Sequence, residues 1–328
     1  MAASTWFDGR GSLTAQLRHR YGAGMSARAA TLIGFGAAAL WALLALFTAA
    51  TGPVPPFQLL AMTFAIGGGL GAVSWLFRPG AAGALRQPPP VWALGIAGLF
   101  GYHALYFAAL KLAPPAESGL INYLWPLLIV LFSSLLPGQQ LRGQHVAGAL
   151  LGFAGVVVLV AGRGAIDIRP EYWAGYLCAF ACAFVWAGYS VLSRRVAAVP
   201  TDAVTGFCLA TAALGLLCHL LFERTVWPET GLQWGAIVAN GLGPVGAAFY
   251  LWDIGMKRGD IRLLGIGSYA IPVVSTAILI LAGFAEPTWS LAAACALIAA
   301  GAVIATLPRL GSRRQDPVRV AVSRRETE

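Results

Sequence analysis

The chain has 328 residues, 58% hydrophobic and 11% charged, with a mean hydropathy of +0.73. Soluble domains carry about 25% charged residues, so this apolar surplus has no place in water and the chain reads as an integral membrane protein. Its +9 charge, from 22 basic and 13 acidic residues, falls in short gaps between apolar runs and not on one folded face, which excludes a nucleic-acid partner.

A helix crossing the hydrocarbon needs about 20 mainly apolar residues. Ten such runs are predicted, at 28–50, 56–77, 89–110, 115–136, 143–162, 171–192, 201–222, 231–255, 262–284 and 288–308. The loops are short and punctuated by pairs such as Gly52-Pro53 and Pro137-Gly138, which leaves no room for a soluble domain. Residues 1–27 are polar and basic without the apolar core of a signal peptide, Met25 is an alternative start, and 309–328 form a basic tail. With the N-terminus in the cytoplasm, 18 Lys and Arg residues lie inside and 4 (Lys111, Arg163, Arg169 and Arg224) lie outside. The positive-inside rule therefore predicts that both termini are cytoplasmic. Five cysteines, an odd number and all within apolar runs, argue against a disulfide framework.

Sliding the sequence on itself by 146 residues aligns 111–162 with 257–308 without a gap. Lys111 meets Lys257, Gly119 meets Gly265, Tyr123 meets Tyr269 and Pro126 meets Pro272; near 145, Trp41-Ala42 meets Trp186-Ala187. A repeat of five spans is odd, so the second copy is inserted upside down. The expected fold is all-α, ten transmembrane helices in two inverted five-helix repeats, 28–162 and 171–308. Secondary transporters are built this way, with the substrate between the halves near the midplane.

Ten spans in a five-plus-five arrangement, an early Trp in each half, Gly-x-x-x-Tyr-x-x-Pro at 119–126 and 265–272, and Glu286-Pro287 before the last span resemble the drug/metabolite transporter superfamily, EamA type. The first half departs from it, with Gln140-Leu141 where Glu-Pro is expected. The aromatic-rich segments Gly101-Tyr102-His103-Ala104-Leu105-Tyr106 and Asn122-Tyr123-Leu124-Trp125-Pro126 resemble the bacterial aromatic amino acid exporters of this superfamily. The resemblance implies a bacterial inner-membrane exporter of aromatic and other neutral amino acids that works by alternating access, is no enzyme and needs neither cofactor nor oligomer.

Few polar groups lie within the spans, and such groups normally face the bundle interior. Tyr102 and Tyr106 share one face of the third span with His103 beside them, and Asn122 and Trp125 share a face of the fourth with Tyr123 flanking. If these faces meet, rings stack on a substrate ring while Asn and Tyr hold its amino and carboxylate groups. Tyr269 joins this set as the repeat mate of Tyr123. Trp41 and Trp186 either line both sides of the cavity or pack symmetrically. Trp92, Tyr172, Trp173 and Trp289 suit interface anchoring better, and Asp253 is expected to pair with Lys257. Glu117, Glu223 and Glu286 fall in or beside outer loops, which leaves His103 as the one plausible proton carrier. Burial disfavours its charged form, so the reading is facilitated diffusion with a neutral His103.

Pro126 and Pro272 are candidate hinges, and Pro244 a third kink. Gly67-Gly68-Gly69-Leu70-Gly71 favours close helix packing over a flexible gate. No P-loop occurs and no Cys/His cluster has metal spacing, so neither ATP nor a metal is expected. The alternatives are proton-coupled efflux of quaternary cations, which wants a carboxylate that residues 28–50 lack, a membrane-embedded enzyme acting on lipid, and a pore.

Overall fold

The computed structural model describes residues 25–138, 140–162, 164, 166–283 and 285–307. The expected N-terminal segment up to residue 24, Arg163 and the tail 309–328 lie outside them. Among the described residues ten helices are long and apolar enough to span a membrane: α1 Ala27–Ala50, α2 Pro56–Phe77, α3 Pro89–Leu112, α4 Pro115–Leu135, α5 Gly143–Ala161, α6 Pro170–Ser193, α7 Ala203–Phe222, α8 Gly231–Arg258, α9 Ile261–Leu281 and α10 Trp289–Thr306. No strand occurs among the described residues. We call the face where α1 begins proximal and the other distal; odd-numbered helices start at the proximal face and even-numbered ones end there.

Local chemistry sets the helix starts. α2, α3 and α4 open on a proline in the first turn, where its missing N–H lacks a helical partner in any case. Ser26 caps α1, Asp260 caps α9, and Thr230 with Gln233 forms a capping box at α8. Bulky side chains point outward toward lipid: Leu281 is 88% and Phe77 82% exposed.

Five spans are interrupted: α1 breaks at Leu43, between Ala27–Ala42 and Leu44–Ala50, and the other four break in matched pairs. α3 is helical over Pro89–Ile96, widens into a π-helical turn at Ala97–Gly101 and resumes over Tyr102–Leu112. α8 does the same with Gly231–Leu242, Gly243–Ala247 and Ala248–Arg258. The shift of 146 carries the π turn and the following helix of α3 onto those of α8 residue for residue. α4 breaks between Pro115–Asn122 and Trp125–Phe132, and α9 between Ile261–Gly267 and Ala270–Leu281. The fold is thus two inverted five-helix repeats.

The prolines sit differently from expectation. Pro126 is the second residue of the Trp125–Phe132 segment and Pro272 the third of Ala270–Leu281, so each follows its break and does not kink a continuous helix. Pro244 lies inside the π turn of α8. The glycine-rich run of α2 stays within one continuous helix, Pro56–Ser74, and packs closely: a Cβ on Gly67 would stand 2.8 Å from the Gly246 Cα of the α8 π turn. At the proximal face, a Cβ on Gly255 of α8 would stand 2.7 Å from the Gly34 Cα of α1, so these backbones touch.

Candidate functional site

The interrupted helices bring aromatic residues together at the centre of the bundle. Trp41 of α1 lies 5.5 Å from Trp186 of α6 and 5.1 Å from Trp252 of α8, between ring centroids. Trp186 stacks on Trp252 at 6.2 Å, meets Tyr102 of α3 at 5.3 Å and Trp125 of α4 at 6.3 Å. Phe249 of α8 touches Trp41, Trp186, His103 and Phe64 of α2. Tyr102 and Tyr106 stack at 6.1 Å, as their spacing of one helical turn anticipates. In this conformation the rings pack on one another at the edge-to-face and stacked distances that aromatic pairs favour.

Hydrogen bonds divide this cluster. The Asn122 amide donates to the Tyr102 hydroxyl at 3.0 Å, and the Cys182 thiol donates to Asn122 Oδ1 at 3.3 Å, which fixes the amide orientation. His103 Nδ1 lies 2.6 Å from the Leu99 carbonyl in the α3 π turn. A carbonyl only accepts, so Nδ1 carries the proton, and a neutral ring then presents Nε2 as an acceptor. Trp41 donates its indole N–H to the Pro244 carbonyl in the α8 π turn at 3.0 Å, and Trp252 donates to Ser190 at 3.0 Å. Both π turns therefore hold a cluster side chain through a main-chain carbonyl, a use typical of such widened turns.

Seven of the nine residues expected at the site meet here: Trp41, Tyr102, His103, Tyr106, Asn122, Trp125 and Trp186. Of the other two, Tyr123 lies near enough to Tyr102 to interact with it electrostatically and also borders a second cluster, whereas Tyr269 lies in that second cluster. Tyr269 is fully buried there with Val130, Ala149, Val156 and Ile298, and its hydroxyl accepts the Leu127 N–H at 3.1 Å. That bond serves the main chain just past the α4 break, so Tyr269 ties α9 to α4. Tyr123, its repeat mate, packs against the same second cluster. Phe64, Phe249 and Trp252 were missed as site residues. The repeat held the signal for two of them, since a shift of 146 places Phe249 on His103 and Trp252 on Tyr106.

The two ends of the bundle are tied by polar contacts. At the proximal face Lys257 pairs with Asp253 at 2.8 Å, as the sequence led us to expect, and donates to the Val199 carbonyl at 2.9 Å. The Thr201 hydroxyl donates to Asp253 at 2.7 Å, and the Asp260 N–H to Thr31 at 2.8 Å, which joins α9 to α1. At the distal face Glu223 accepts the Phe57 and Gln58 N–H groups at 3.0 and 3.1 Å, capping α2, and pairs with His219 at 2.9 Å. Glu117, expected in or beside a loop, lies in the first turn of α4 and is only 5% exposed. One of its carboxylate oxygens accepts the Asp167 N–H at 3.1 Å, and the other has no hydrogen-bond partner among the described residues.

Inverted five-span repeats whose broken helices converge on a central cluster define a secondary transporter. The chain belongs to the EamA-like transporter family, whose sequence pattern matches residues 28–161 and 173–307. It is similar to the aromatic amino acid exporter YddG of Ancylobacter novellus, 63% identical over 284 residues that cover 86% of this chain and 99% of that one. The Escherichia coli K12 protein of the same name is 28% identical over 274 residues, covering 77% and 88%. A solved crystal structure at 63% sequence identity superposes with a TM-score of 0.83, covering 86% of this chain and 97% of the other.

Proposed function

We propose that this transporter exports aromatic and other neutral amino acids across the bacterial inner membrane by alternating access, with repeat units 28–162 and 171–308 and both termini cytoplasmic. The observation that carries the reading is the two-sided central cluster. α3 and α4 contribute hydrogen-bonding groups, Tyr102, His103, Tyr106 and Asn122, while α8 contributes the apolar rings Phe249 and Trp252. An amino acid with an aromatic side chain has the same two ends. Its ring stacks between Trp41, Trp186 and Trp252, and its ammonium and carboxylate turn toward α3 and α4. Tyr123, beside Tyr102, borders the same polar wall, while Tyr269 packs the second cluster and holds no substrate in this scheme. The exporter names of the relatives at 63% and 28% identity support it, as does the 18-to-4 division of basic residues for the orientation.

Uptake of labelled phenylalanine, threonine and a quaternary ammonium ion into proteoliposomes tests the proposal. Phenylalanine uptake is expected to exceed threonine uptake. Cation uptake alone would favour drug efflux, since an aromatic cage also attracts quaternary ammonium, and uptake of none would end the transport reading for these substrates. Tyr102→Ala, Tyr123→Ala and Trp125→Ala should abolish most phenylalanine flux while the protein stays monodisperse on gel filtration; Tyr269→Ala should retain flux in whatever fraction folds.

A further inference from the structure

A cleft of about 380 Å³ opens at the proximal face where α5 and α9 begin and α10 ends, away from the central cluster. Its wall carries Arg142, Gln144, His145, Asp260 and Arg262, with Leu263 and Ile266 deeper in. We infer that this cleft binds a phosphate group, supplied by an anionic phospholipid headgroup.

Three observations converge. His145 is 9% exposed, and its Nδ1 is buried with no hydrogen-bond partner among the described residues, so the ring is a polar group inside the protein whose needs they do not meet. Arg262 donates through Nη1 to the Gln140 carbonyl at 2.7 Å, yet its Nε is buried without a hydrogen bond to any described residue, 4.0 Å from Asp260. Arg142 has no ion pair among the described residues, and it stands at the N-cap position of the 19-residue helix α5, which no side chain caps. Two guanidinium groups, an imidazole and an uncapped helix N-terminus thus face one cleft. Asp260 is the opposing charge, and its Oδ1 is held by the Arg262 and Leu263 N–H groups at 3.0 and 3.1 Å. Guanidinium forks and helix N-terminal N–H groups are the donors that bind phosphate oxygens.

The source follows from position. The cleft lies at a membrane–water boundary, between spans, and its apolar residues Leu263 and Ile266 adjoin the cationic ones. Basic pockets between transmembrane helices at this depth suit anionic headgroups, whose glycerol and acyl carbons need an apolar neighbour. Gln144 donates to the Ala305 and Leu307 carbonyls, both at 3.1 Å, so α5 and α10 form one wall and Arg262 of α9 the other. A lipid seated there bridges spans of both repeats.

Thermal unfolding in detergent with added phosphatidylglycerol, phosphatidylcholine or sodium phosphate tests this. Phosphatidylglycerol should raise the unfolding midpoint in a saturable way and phosphatidylcholine should not. Arg142→Gln should weaken half-saturation by about tenfold or more, as loss of a charge-assisted contact predicts, and Arg142→Lys should restore part of it. Arg262→Gln also releases Gln140, so Arg142→Gln is the deciding variant. Equal half-saturation in the parent and Arg142→Gln would overturn the site. A saturable shift with sodium phosphate alone, lost in Arg142→Gln, would keep the phosphate site and overturn the lipid as its source.

Discussion

At equivalent positions in the two repeats, α3 carries Tyr102, His103, Tyr106, Phe107 and Lys111 where α8 carries Ala248, Phe249, Trp252, Asp253 and Lys257. The backbone is the same in both, a π-helical turn followed by an eleven-residue helix. The side chains divide the work. Toward the centre, α3 offers hydrogen bonds and α8 offers apolar rings. Toward the ends, α8 buries the Lys257–Asp253 pair, with side chains 5% and 3% exposed, whereas Lys111 is exposed and Phe107 packs on Phe57 and His103. Duplication supplied two similar frames, and substitution made one the polar wall and the other the apolar wall with a locked end. Backbone symmetry and chemical symmetry separate: under the proposed function, a two-ended substrate requires unlike walls, while alternating access requires like frames.

The largest expected effect sharpens that contrast with one substitution made twice. Lys257→Met leaves Asp253 buried without its cation and should destabilise the protein by about 3–5 kcal/mol. Lys111→Met, exposed, should change stability by less than about 0.5 kcal/mol. Unfolding midpoints in detergent measure both, and equal shifts would mean that the two ends are not distinguished by burial.

Next in size is Tyr102→Phe, which takes the acceptor from the Asn122 amide. A buried donor left unmatched costs about 1–3 kcal/mol, so both stability and phenylalanine flux should fall. Tyr106→Phe separates structure from recognition, since the Tyr106 ring stacks on Tyr102 and its removed hydroxyl bonds no described residue. Stability should hold within about 0.5 kcal/mol, with flux reduced. Unchanged flux would remove the Tyr106 hydroxyl from the substrate contacts.

Pro126→Ala and Pro272→Ala probe the breaks common to both halves. Because each proline follows its break, the substitutions should leave folding intact and slow turnover only severalfold, by allowing the segments to join. Rates equal to the parent in both variants would make the breaks static. The smallest effect expected is none: a pH gradient across proteoliposomes, without a substrate gradient, should not accumulate phenylalanine. Uphill accumulation lost in His103→Gln or in Glu117→Gln would identify the proton carrier and replace facilitated diffusion with antiport.

The sequence by itself determined the ten spans, to within a few residues at most ends, because a membrane demands a fixed length of apolar chain. It determined the inverted repeat, because Pro and Tyr recurring at one shift survive where apolar residues interchange freely. That Tyr102 and Asn122 would meet was legible because a polar group deep in an apolar span needs a partner; whether Trp41 and Trp186 line a cavity or pack, the sequence leaves open. The tertiary structure decided the rest. Tyr269 shares the motif of the site with Tyr123, yet it turns into the second cluster while Tyr123 stays beside Tyr102, since the direction of a side chain at a helix break depends on which neighbour fills the gap. Phe249 and Trp252 entered the site because α8 packs against α1 and α6, a relation between distant segments. The burial of Glu117 and the unpartnered nitrogen of His145 depend likewise on chain folded over them, and no local pattern of residues encodes that.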